Sequence, residues 1–157
     1  MNKCQLLFED KLKFDNEQEA LIYISEHLQQ KNIVKKSHLK ALIEREALFP
    51  TGIALNGYAV AIPHCEAEHA NTPAIFIIRT QSPVAFNRAD DDGTVDVSLI
   101  ISLVVTSPEA QLDLLKVLFS NLQNKEFYHF LLKAPQGEIT EHFSKVIFNK
   151  KVNQEAL

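Results

Sequence analysis

Apolar and polar positions follow two different periods along this chain. Residues 5–14 are short and mixed, and fit a strand or a hairpin. Asp15 and Asn16 then offer an N-cap, acidic residues follow, and Ala20, Leu21, Ile24 and Leu28 recur at helical spacing, which predicts a helix over 17–30. Ser37 caps a second expected helix ending near Leu48, with Leu39, Leu42, Ile43 and Ala47 as its apolar stripe. Pro50-Thr51-Gly52 stops it. The apolar runs 52–55 and 58–62 flank Asn56-Gly57, a strong hairpin-turn dipeptide, and Pro63 ends the second run.

Residues 74–78 and 95–105 read as strands, with Asp90-Asp91-Asp92-Gly93 as a turn between them. The second strand becomes continuously apolar at Leu99-Ile100-Ile101, as suits a strand covered on both faces. Ser107 and Pro108 then open a helix whose stripe is Leu112, Leu115, Leu118, Phe119 and Leu122. Two more helices are expected over 126–133 and 138–148, separated at Pro135-Gln136-Gly137. Helices, strands and helices in that order predict an α/β protein, with a mixed sheet sandwiched between helical layers.

The length, 157 residues, suits one domain spanning 1–157, and 46% hydrophobic with 23% charged residues is a globular balance. The net charge of −4 gives no basic surplus to neutralise phosphates, so no nucleic-acid partner is expected. Cys4 and Cys65 make no disulfide framework. The first residues lack the apolar stretch of a signal peptide, and no apolar run approaches the roughly 20 residues of a bilayer span. A reduced, cytoplasmic setting is therefore expected. The polar tail 150–157 is expected to fray.

Six histidines carry the candidate chemistry. His27, His38, His129 and His142 lie in expected helices among polar neighbours and read as ordinary surface or half-buried residues. His64 stands immediately beyond an apolar strand, after Ile62-Pro63, where ligands collect in α/β sheets. Proline stiffens its presentation, and a neutral imidazole is a nucleophile near pH 7. The plainer reading is a strand-end histidine that hydrogen-bonds a loop. Arg45 fits either a helix-surface salt bridge or contact with a bound oxyanion, for which its planar fork is suited. Glu46 falls on the side of its helix expected to be buried, so its carboxylate needs a partner. Gln111, in the first turn after Pro108, faces inward and can serve an anion, a histidine or a backbone group. His64, Cys65, Glu66, Glu68 and His69 gather metal-ligand types, but in no zinc-like spacing, so no metal is expected. Phosphate-loop, dinucleotide and serine-hydrolase motifs are absent, which counts against nucleotide cofactors and that hydrolytic chemistry.

Residues 44–64 read EREALFPTGIALNGYAVAIPH, combining an R-E helix end, a T-G-I turn and an I-P-H strand end. This resembles the enzyme IIA domains of the bacterial phosphoenolpyruvate-dependent sugar phosphotransferase system, of the fructose–mannitol type. The likeness extends over nearly the whole chain. The segments FPTGIAL, AIPHCEAEHA and ADDD, and Gln111 before Leu112, are most similar to the galactitol-specific branch. The resemblance implies that His64 takes a phosphoryl group on Nε2 from the carrier protein HPr. It then passes the group to a cysteine of the cognate, galactitol-type enzyme IIB, with the membrane component enzyme IIC involved only indirectly. It implies that Arg45 steadies the phosphoryl group, and that Gln111 stands where most relatives have a second histidine. No cofactor or metal is implied. Glu46 is the candidate holder of the other imidazole nitrogen, and Phe49, Ile53 and Tyr58 are the candidate apolar rim. A regulatory enzyme IIA-like module, of the nitrogen-regulatory kind, is the alternative, and a metal-dependent hydrolase a more remote one.

Overall fold

In the two long central strands, successive apolar side chains serve opposite helical layers. The computed structural model describes residues 4–148; the tail 150–157 lies outside the described residues. Strands β1 (Gln5–Leu12), β2 (Gly52–Ala54), β3 (Ala59–Ala61), β4 (Ala74–Asn87) and β5 (Thr94–Val104) form one sheet in the order β1-β4-β5-β3-β2. The β1–β4 and β3–β5 pairs are parallel, and the β4–β5 and β2–β3 pairs antiparallel, so the sheet is mixed as expected. On one face Ile75, Ile77, Leu99, Ile101 and Leu103 pack against α3 (Pro108–Leu122), α4 (Lys125–Lys133) and α5 (Gln136–Ile147). On the other, Phe76, Ile78, Val97 and Ile100 pack against α1 (Glu17–Gln30) and α2 (His38–Leu48). The result is the sandwich that the order of elements predicts, with a core on each side of the sheet.

The capping residues act largely as their chemistry dictates. The Asn16 side chain accepts from the Glu19 amide, and the Ser107 hydroxyl from the Ala110 amide, with Pro108 in the first turn of α3. Ser37 precedes α2 but makes no cap bond; its hydroxyl meets His69 Nδ1 at 2.8 Å instead. Gly52 in β2 is required by a close approach: a β-carbon there would lie 2.5 Å from the Asn87 carbonyl oxygen. Gly57 supplies the positive φ, +87°, of the β2–β3 turn.

Several expectations need correction. β4 does not stop at Ile78 but runs on to Asn87, with a register shift between Arg79 and Val84. Pro83 lies in that break, where no ladder bond depends on it. The buried side of α2 is His38, Ala41, Leu42 and Glu46, and Ala47 is exposed. α3 buries Leu114, Leu118 and Leu122, leaving Leu112 and Phe119 exposed. His38 is buried, with Nδ1 2.8 Å from the Ser25 hydroxyl, and is neither a surface nor a half-buried residue.

Candidate phosphoryl-transfer site

β3 runs parallel to β5 and ends at Ala61, so Ile62, Pro63 and His64 emerge from the carboxyl end of that pair. Two donors seize the Pro63 carbonyl: the Ser102 hydroxyl at 3.0 Å and the Leu103 amide at 3.1 Å. The segment before His64 is therefore clamped to β5. The Gln111 amide donates to the Cys65 carbonyl at 3.0 Å and braces the segment after it. Of the alternatives open for Gln111, the backbone group is the one realised.

His64 Nδ1 lies 2.8 Å from the Ile62 carbonyl oxygen. A carbonyl can only accept, so Nδ1 carries the proton, and the neutral ring presents a lone pair on Nε2. Burial holds the imidazole below its ordinary pKa; the Ile62 carbonyl opposes that shift, the Arg45 charge adds to it, and the Glu66 carboxylate opposes it. The ring is thus neutral, and Nε2 nucleophilic, at pH 7. A cleft of about 330 Å³ adjoins His64, lined by Ile53, Ile62, Leu115 and Phe119, with Thr51, Ala89 and Lys116. Ile53 is part of the rim as expected. Tyr58 is not, because its hydroxyl is tied to the Leu122 carbonyl and its ring lies against Tyr128.

Glu46 does not hold His64. Its carboxylate accepts from the Thr51 amide at 2.6 Å and the Thr51 hydroxyl at 2.7 Å, closing the turn between α2 and β2. Burial raises its pKa to about 7, against the pull of both Thr51 bonds. Arg45 sits in the last turn of α2, with its guanidinium 4.5 Å above the Phe49 ring and Nη1 3.6 Å from Glu66 Oε2. It lines a second cleft, of about 390 Å³, with Lys40, Phe49, Glu66 and His69 among its neighbours.

Cys65 is buried, and its thiol is pushed up to about 12, so it is protonated and not a competing nucleophile. Among the described residues no three His, Cys, Asp or Glu side chains gather as a metal-holding group. No helix there is long and apolar enough to cross a membrane.

Four contributors escaped the sequence reading: Ser102, Thr51, Glu66 as the partner of Arg45, and Lys116. Ser102 left a signal, as a polar residue inside the apolar run from Leu99 to Leu103, where burial demands a hydrogen bond.

Comparison with known proteins gives the chain its relatives. Residues 3–146 match the family model described as phosphoenolpyruvate-dependent sugar phosphotransferase system, EIIA 2. The galactitol-specific EIIA component of Escherichia coli K12 is 42% identical over 138 residues, covering 88% of this chain and 92% of that relative. The crystal structure of IIA mannitol from Escherichia coli superposes with a TM-score of 0.68 at 20% identity, over 87% of this chain and 94% of that one. Enzyme IIA mannitol of Escherichia coli in complex with phosphorylated enzyme IIB superposes at 0.65 with 19% identity, over 87% and 96%. These two likenesses carry the fold, and the sequence matches carry the family. The chain belongs to the EIIA 2 family of the phosphoenolpyruvate-dependent sugar phosphotransferase system, a family of phosphocarriers.

Proposed function

We propose that His64 is the phospho-acceptor of this phosphocarrier, and that the chain works in the cytoplasm as a single domain between HPr and a galactitol-type enzyme IIB. The observation that carries the assignment of His64 is the Nδ1 contact with the Ile62 carbonyl, because it leaves Nε2 as the available lone pair. In the forward step the P–N bond of phospho-HPr breaks, and its electron pair stays on the donor imidazole. The Nε2 lone pair forms the new P–N bond, and the proton stays on Nδ1, still donated to the Ile62 carbonyl. In the second step a cysteine thiolate of enzyme IIB displaces Nε2. Both ends of each transfer are protein side chains, so positioning and charge stabilisation are the tasks left to this chain. Arg45 offsets charge on the phosphoryl oxygens, and Gln111 and Ser102 keep the segment 63–65 in place. The 42% identity to a galactitol-specific relative supports galactitol as the sugar whose uptake is served.

Intact-mass measurement after incubation with phosphoenolpyruvate, enzyme I and HPr tests the reading. One acid-labile phosphoryl group on the wild type and none on His64→Ala is expected. Equal labelling of the two proteins would remove His64 from the acceptor role. Labelling of the wild type without onward transfer to any enzyme IIB would favour a regulatory module.

A further inference from the structure

Glu66 stands two residues beyond His64, on the segment that Gln111 braces. Its two carboxylate oxygens face different side chains. Oε2 is 3.6 Å from Arg45 Nη1, and Oε1 is 4.0 Å from His69 Nε2. His69 is in turn anchored, through Nδ1, to the Ser37 hydroxyl at the start of α2. Lys40 and Glu44 complete the charged lining of that cleft. The Arg45–Glu66 pair is long, and its side chains are 38% and 47% exposed, so it is a weak and exchangeable contact. Arg45 and Glu66 also act in opposite directions on the His64 imidazole, so both lie within its electrostatic reach.

We propose that Glu66 is a positioning residue that holds the Arg45 guanidinium in waiting and competes with the phosphoryl group for it, which keeps the group on His64 transferable. The inference rests on His64 being the phospho-acceptor. In the unphosphorylated protein Glu66 keeps Arg45 in its own cleft, within electrostatic reach of His64. A phosphoryl dianion offers more charge and a bidentate face to the same fork, so it takes Arg45 over. Glu66 then loses its partner, and that loss raises the free energy of the phosphorylated state relative to the free one. The phosphoryl group is consequently bound less tightly than Arg45 alone would hold it, as a carrier that must release its cargo requires.

Glu66→Gln removes the competitor and keeps the shape. At equilibrium between phospho-HPr and this chain, it should shift the phosphoryl group towards the chain by about twofold to fivefold, the range of an exposed ion pair. The shift should vanish in an Arg45→Ala background, and Glu66→Asp should restore part of the wild-type balance. An NMR titration without any donor should show His64 titrating lower in Glu66→Gln than in the wild type, because the carboxylate no longer favours the imidazolium. An unchanged phosphoryl equilibrium, or the same shift with Arg45 absent, would overturn the proposal. So would an unchanged His64 titration, which needs no phosphoryl transfer. A wild type that takes no phosphoryl group would instead overturn the reading of His64 beneath it.

Discussion

Ser102→Ala removes one of the two donors on the Pro63 carbonyl and leaves the Leu103 amide in place. We expect a loss of about 1 kcal/mol in denaturant unfolding, the worth of one buried hydrogen bond, together with slower transfer by His64. Unchanged stability and rate would show that the amide alone holds the segment. Glu46 gives a pH signature. Its folded pKa, about 7, lies above the ordinary 4.5, so the protein takes up a proton on folding between those values. The sign follows: stability is highest below the unfolded pKa and is lost as pH rises through about 7. His38 has the opposite slope. Burial, with the His69 charge second, pushes its pKa down to about 4, so its contribution is lost as pH falls from 6.5 towards 4. The two slopes oppose one another between about pH 4.5 and 6.5, and Glu46 is exposed as the cause above that window. Glu46→Gln should flatten the decline in unfolding midpoint between about pH 6.5 and 8; an unaltered decline would place its cause elsewhere. The sequence made the need for a Glu46 partner plain, because a carboxylate on a buried helix face cannot stand alone. The identity of that partner depended on how the chain turns after α2, which places Thr51, five residues on, against the carboxylate.

At the scale of elements, one side chain joins three of them. Arg79 of β4 donates to both Asp10 carboxylate oxygens on β1, at 3.1 and 2.6 Å, and to the Ala134 carbonyl between α4 and α5 at 2.6 Å, with its guanidinium 4.7 Å above the Phe8 ring. Arg79→Met keeps the stem and removes all three bonds. We expect a loss of about 2 kcal/mol in stability, with the His64 chemistry retained. An unaltered unfolding midpoint would reduce this cluster to a surface pair. The same strand marks where reading by pattern fails. Residues 74–78 announce a buried strand, whereas Thr80 to Pro83 break the register and Gln81 to Pro83 are exposed, so the continuation to Asn87 is masked by polar residues and a proline. The phase of α3 departs from its apolar stripe for a different reason. Leu112 and Phe119 are apolar yet exposed, and they look like core on a helical wheel. The Asn16 and Ser107 caps, the Asn-Gly turn and the continuous apolar run of β5 are legible because each has a local physical cause, whereas the Ser37 hydroxyl turns to His69 instead of capping α2.

Across the whole molecule, the sheet divides two cores and delivers His64 at one end, where β3 leaves the sheet beside β5. Phe119 of α3 lines the His64 cleft and remains 39% exposed, while Phe49 beyond α2 is 58% exposed and lies under Arg45. Apolar side chains left in solvent, one beside His64 and one under Arg45, suit a surface on which one protein partner replaces another. Phe119→Asp should raise KM for phospho-HPr about threefold to tenfold and leave kcat little changed; a lower kcat at constant KM would argue against a docking role. Arg45→Ala, in contrast, should lower the rate of transfer about tenfold to a hundredfold without unfolding the protein, and an unchanged rate would leave Arg45 a surface ion pair. The central claim is that one nitrogen of one histidine carries the phosphoryl group. Nitrogen-15 and phosphorus-31 NMR of the phosphorylated protein tests it most directly. Phosphorus coupled to Nε2 of His64, with the Nδ1 proton retained, is the predicted result; phosphorus on Nδ1, or on any other residue, would contradict the account.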